Sequence, residues 1–237
     1  MEIKKFKCRA SKGGTLLMND RSGKAMGETA KSYLKEWLIS EITGKEKDIK
    51  SKYLSRGNAM ESTAIERAGR HYDCEFQKNE INLENEYFTG TYDSKNLERV
   101  IDTKVPFDAF TFPFFVTEPD KDYYAQLQIY MELTGLKKAS LVYCLENGSE
   151  EQIEKLSWQI AKDLGKDEPD IEEWELAEKE LSYDHLPDNL RIKVFEFEYD
   201  KSFIEQLEVR VLQARKYIET ELLTKIPTAI NEIKVNQ

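Results

Sequence analysis

The runs Phe88-Thr89-Gly90-Thr91-Tyr92-Asp93 and Val100-Ile101-Asp102-Thr103-Lys104 read as two β-strands that end on charged residues. Between them, Ser94-Lys95-Asn96 is a short polar connection that suits a hairpin. An acid at the end of one strand and Asp-x-Lys on its neighbour would bring two carboxylates and an ammonium together. Strand side chains alternate between faces, so Asp102 and Lys104 share one. Two carboxylates near one point suit Mg²⁺, which takes one or two protein carboxylates and fills its octahedron with water and phosphate oxygens. A lysine at such a site can orient or deprotonate a water, or neutralise charge developing on a phosphate. Acid-x-Lys also starts at Glu2, Asp48, Asp93 and Glu232. Only the copy at Asp102 combines a β-branched entry with an upstream acid placed for a neighbouring strand. The competing interpretation is a surface hairpin with ordinary charged residues.

Two flanking features bear on that choice. Upstream, Arg56-Gly57-Asn58-Ala59-Met60-Glu61 opens a helix expected over residues 57–71 and supplies a third carboxylate. Downstream, Tyr124-Ala125-Gln126-Leu127-Gln128-Ile129-Tyr130 lies in a helix expected over 120–134, with Gln126 and Tyr130 four apart on one face. Further out, apolar residues at helical spacing predict a helix from about Ala25 to Thr43, with Gly44 as its stop. Residues 11–24 read as loop, 74–83, 86–93 and 97–105 as strands, and 107–119 as a Phe- and Pro-rich loop. Strands are expected again at 141–145 and 191–199, helices at 150–163, 170–181 and 201–223. This order predicts one α/β domain spanning residues 1–237, with a mixed central sheet flanked by helices.

Composition sets the outer limits. The chain has 237 residues, 40% of them hydrophobic, enough for a sizeable core. No apolar run is long enough to span a membrane, and the start of the sequence lacks an apolar signal segment, so a cytoplasmic protein is expected. Cys8, Cys74 and Cys144 are scattered, giving neither a disulfide framework nor a C-x-x-C pair. The net charge of −10 argues at first sight against a nucleic-acid partner. It is unevenly spread, however. Residues 1–60 hold 14 basic and 7 acidic side chains, whereas 145–200 hold 6 basic and 18 acidic. One acidic block therefore carries all of the excess, and the remainder is slightly basic.

Taken together in this order and spacing, the residues resemble the PD-(D/E)XK nuclease superfamily. More narrowly, they resemble the phage recombination exonucleases typified by lambda exonuclease and its YqaJ-like relatives. Arg9-Ala10-Ser11-Lys12-Gly13-Gly14 is similar to that family's N-terminal Ala-Ser segment. Gly57 to Glu61 matches its Gly-x-x-x-Glu motif, and Gly90-Thr91-Tyr92-Asp93 its first metal-binding aspartate. Ile101-Asp102-Thr103-Lys104 followed by Val105-Pro106 matches the acid-x-Lys motif with its trailing proline. Ala125 to Tyr130 matches the Gln-containing helix, and residues 191–223 the final strand and helix.

The resemblance implies a PD-(D/E)XK core and a metal-dependent exonuclease that digests one strand of linear duplex DNA from its 5′ end by two-metal hydrolysis. Asp93, Asp102 and the backbone carbonyl of Thr103 would hold Mg²⁺, which Mn²⁺ could replace, and Glu61 would support a second ion or its water. Lys104 would position or activate the attacking water; Gln126 and Tyr130, counted among the catalytic residues, would orient the site and the strand. Arg9, Ser11, Lys12 and Arg56 would contact DNA. Duplex ends, a homo-oligomer such as a ring-shaped trimer and a single-strand annealing protein are the implied partners, in the cytoplasm of a bacterial host carrying a phage or prophage. Asp102 stands where Glu is commoner, and Lys4, Lys5 or Lys7 must serve where the typical relative has an arginine for the terminal phosphate. The acidic segment at about 146–190 is longer than in the typical relative; a subunit contact, a partner site and a solvated insert all stay open. An endonuclease or junction-cleaving enzyme of the same fold is the alternative, and a non-catalytic binding protein the more distant one. Three dispersed cysteines rule out a four-cysteine iron–sulphur cluster.

Overall fold

A computed structural model describes residues 3–23, 25–47 and 52–226, with Lys52–Leu54 described in backbone only. Seven strands and seven α-helices are present among the described residues. The strands are β1 (Cys8–Arg9), β2 (Leu83–Glu84), β3 (Phe88–Gly90), β4 (Ser94–Lys95), β5 (Arg99–Lys104), β6 (Lys138–Cys144) and β7 (Ile192–Glu198). The helices are α1 (Gly13–Leu17), α2 (Glu28–Thr43), α3 (Lys52–Tyr72), α4 (Lys121–Thr134), α5 (Glu150–Asp163), α6 (Ile171–Glu180) and α7 (Lys201–Tyr217).

The strands form two mixed sheets rather than one. The larger has the order β4-β5-β6-β7, with β5 and β6 parallel and the outer pairs antiparallel. The smaller has the order β1-β3-β2. The expected hairpin therefore shifts. The chain bends at Thr91–Asp93, so β3 and β4 join different sheets, and Ser94-Lys95 are themselves strand. The turn falls on Asn96, whose side chain accepts from the backbone of Glu98 and Arg99, both at 2.9 Å. The run 74–83 is almost entirely irregular.

β5 and β6 are buried on both faces. Val100, Ala139 and Leu141 belong to the main core, with α2, α4 and α7 contributing Leu34, Leu127 and Leu207. Ile101, Val142 and Cys144 point the other way, against Ala64, Ile65 and Ala68 of α3. α2 stops where Gly44 takes a left-handed φ of 65°, a conformation only glycine adopts without steric penalty. α7 ends sooner than expected, in a π turn over Ile218–Leu222.

The acidic segment is a helical pair, α5 packed on α6, each opened by a capping box. A buried ionic network joins it to α3. Arg67 donates to both Glu146 oxygens at 2.6 and 2.9 Å, and Arg191 lies 3.6 Å from the same carboxylate. No described helix is long and apolar enough to cross a membrane.

Candidate active site

β4 places Ser94 opposite Ile101, so Asp93 arrives beside Asp102. The Asp93 carboxylate turns onto β5, where Oδ2 accepts from the Thr103 backbone N–H at 2.6 Å and its hydroxyl at 2.8 Å. Burial, followed by the Asp102 charge, raises the Asp93 pKa to about 7, against the lowering effect of Lys104 and the Thr103 hydrogen bonds.

Asp102 is only 1% exposed. Its Oδ1 accepts from Gln126 Nε2 at 3.2 Å. Its Oδ2 is in ion-pair contact with Lys104 Nζ. Burial alone would lower the Lys104 pKa; Asp102 and then Asp93 outweigh it and hold the ammonium above its usual range. The Lys104 Nζ also lies 5.3 Å from the centroid of the Tyr123 ring.

α4 holds this arrangement from behind. Gln126 Nε2 also donates to the Tyr130 hydroxyl at 2.9 Å, and that hydroxyl donates to the Thr91 carbonyl at 2.7 Å. Three linked hydrogen bonds thus run from Asp102 to the backbone just before Asp93. Gln126 and Tyr130 do not line the cleft but stand behind Asp102, with both amide hydrogens and the phenol engaged in these hydrogen bonds.

The cleft itself has a volume of about 380 Å³, lined by Glu61, Asp93, Thr103, Lys104, Tyr123 and Tyr143 among others. Glu61 reaches it from α3 and is ion-paired to Lys78 at 2.8 Å. Lys78, Tyr123 and Tyr143 carry no motif signal; only the fold brings them here.

The expected DNA contacts separate. Arg9, Ser11 and Lys12 are exposed, on or beside a single 3-10 turn packed on α4, although the Arg9 guanidinium is paired with Glu46 at 3.0 Å. Arg56 is 2% exposed and cannot present itself to DNA. Its guanidinium donates to the carbonyls of Pro106 at 2.9 Å and Glu146 at 2.7 Å and to the Gln152 side chain. It clamps α3 to the start of the 107–119 loop and to α5, which corrects the expectation for this residue.

The donor set fits a hard divalent cation. Oxygen ligands dominate, and burial together with the Asp102 charge disfavours the charged form of Asp93, a penalty that a bound cation would offset. Asp93 and Asp102 are the residues that could hold it.

The fold is found again in solved exonucleases. A phage-related exonuclease from Haemophilus somnus 129PT matches with a TM-score of 0.73 and 25% sequence identity, covering 94% of this chain and 97% of that one. The fold is that of the phage-type exonucleases. An alkaline exonuclease (LHK-Exo) from Laribacter hongkongensis shares this exonuclease fold with a TM-score of 0.66 and 17% identity, over 95% of this chain and 94% of its own. The same protein in complex with dAMP gives a TM-score of 0.65 at 18% identity, with the same coverage of 95% and 94%. No family model matches the chain, and no curated protein matches it by sequence.

Proposed function

We propose that this chain is a Mg²⁺-dependent deoxyribonuclease that removes mononucleotides from the 5′ end of one strand of linear duplex DNA, in phage-type recombination or repair. The observation that carries this reading is that Asp93 and Lys104 line one cleft, with the buried Asp102 paired to Lys104 behind them, in a fold shared with exonucleases. The dAMP named with LHK-Exo is a mononucleotide, the class of product such an enzyme releases.

Asp93 and Asp102 hold the ion, with the Thr103 carbonyl and Glu61 as further oxygen donors, and Mn²⁺ substitutes for Mg²⁺. When bound, the ion supplies Lewis-acid polarisation of the phosphate and activation of water. Lys104 orients the attacking water and counters negative charge gathering on the phosphate. Water adds to phosphorus as the bond to the 3′ oxygen breaks, leaving the phosphate on the 5′ carbon of the next nucleotide. Gln126 keeps Asp102 aimed, and Tyr123 fences Lys104 from one side. Arg9, Ser11 and Lys12 grip the strand's phosphates. The basic first quarter and acidic 145–200 segment suit head-to-tail contacts in a homo-oligomer, as in a trimeric ring around DNA. A single-strand annealing protein, acting in the cytoplasm of a bacterial host, would take up the strand left behind.

The test compares linear duplex with covalently closed circular duplex in Mg²⁺. Loss of the linear form alone, with a 5′-terminal label released first as mononucleotide, is expected. Cutting of the circle would overturn the exonuclease reading in favour of an endonuclease.

A further inference from the structure

The segment between Lys104 and Lys121 contains no lysine or arginine, yet it carries five phenylalanines. It leaves the catalytic cleft directly, since Pro106 and Thr111 line that cleft together with Lys104 and Glu61. Phe112 anchors it at 6% exposure, in edge contact with Phe114 at 4.6 Å between centroids. Phe110 and Phe115, by contrast, are 99% and 97% exposed, more than any other described aromatic side chain.

This loop is held, not trailing. The Thr111 N–H donates to the Asp108 carboxylate at 2.9 Å, and the Asp108 N–H donates to the Thr111 hydroxyl at 3.0 Å. From the acidic segment, the Tyr183 hydroxyl accepts from the Ala109 N–H at 3.1 Å, and Gln152 Nε2 donates to the Phe107 carbonyl at 3.3 Å. Arg56 fixes the loop's base at the Pro106 carbonyl. The acidic segment thus holds the loop just before Phe110, which adjoins the cleft-lining Thr111, while Phe115 rests against Phe114 at 6.4 Å between centroids.

We infer that Phe110 and Phe115 form a stacking platform for an unpaired nucleobase of the strand whose phosphate enters the cleft, a site that rests on the exonuclease reading above. With no cation on the segment, and with Asp108, Glu118 and Asp120 on it, the platform repels phosphate. The uncharged, apolar face of a base is the part of DNA that it fits. Stacking of this kind is tolerant of sequence, because every base has a π-face. It also places a rigid apolar surface where a strand end must unpair to reach the carboxylates.

The experiment uses full-length protein and a duplex with a short 5′ single-stranded tail carrying 5-iodouracil, in chelator so that no digestion occurs. Irradiation followed by peptide mapping is expected to place the cross-link on Phe110 or Phe115. The double variant F110A/F115A, both fully exposed positions, is expected to unfold at the wild-type temperature and bind the tailed duplex about tenfold more weakly. Cross-links only elsewhere, or wild-type affinity in the double variant, overturn the platform. So does a change of assembly mass in sedimentation, which would reassign the rings to a subunit contact. A wild-type protein that cross-links through the loop but hydrolyses nothing in Mg²⁺ refutes the exonuclease reading alone. A double variant that binds and digests tailed duplex at the wild-type level refutes the platform alone, and a wild-type protein that binds no DNA refutes both.

Discussion

The two oxygens of Asp102 live in different surroundings, and that difference organises the site. Oδ1 is fixed by Gln126, whereas Oδ2 pairs with the Lys104 ammonium. Gln126→Ala should therefore lower metal affinity and turnover together, by about 10–100-fold, as loss of an outer hydrogen bond to a ligand typically does. Titration with Mn²⁺ alongside nucleotide release checks this. Asp93 yields a pH prediction. Its folded pKa of about 7 stands above the unfolded carboxylate value, so its stabilising contribution is complete only below about pH 4 and is lost as pH rises through 7. In metal-free buffer at pH 8, Asp93→Asn should melt above the wild type. Added Mn²⁺ should raise the wild-type midpoint and leave the variant unmoved; differential scanning calorimetry reads both. The pairing of Asp102 with Lys104 was legible in the sequence because alternation along one strand is a local rule. The burial of Arg56 was not, since its partners lie 50 to 96 residues away.

At the scale of elements, the close approach of β3, the 3-10 turn over Ala10–Lys12 and α4 keeps the hydrogen-bond chain in place. A Cβ on Gly90 would sit 2.9 Å from both the Ala10 Cβ and the Tyr130 ring. Gly90→Val should push Tyr130 off the Thr91 carbonyl, lowering activity at least as far as Tyr130→Phe does; a nuclease assay of the two variants compares them. The Arg67–Glu146 pair joins α3 to the acidic segment in a buried setting, with side-chain exposures of 7% and 3%. Arg67→Ala strands a buried carboxylate, partly relieved by Arg191, and should cost about 3 kcal/mol in urea unfolding. Long helices were readable from periodicity, and α5 and α6 fall within a residue of their expected spans. β2, β3 and β4 have only two or three residues each, too few for alternation to register, which is why the sheet divided where one was expected.

For the whole molecule, the net charge of −10 says little about partners, because the acidic excess lies in residues 145–200, the segment that carries the helical pair. The motif order carried the fold, whereas the bracing function of residues 146–190 depends on contacts to Arg56, Arg67 and the aromatic loop that no local pattern encodes. The same architecture brings the Glu61 and Asp93 carboxylates to one cleft, with Asp102 buried behind Lys104. Anomalous diffraction from a crystal soaked in Mn²⁺ tests this most directly. A peak between the carboxylates of Asp93 and Asp102, absent in Asp102→Ala, is the predicted result. A fully soaked crystal with no peak there, or with Mn²⁺ bound only at other acidic groups, would contradict it.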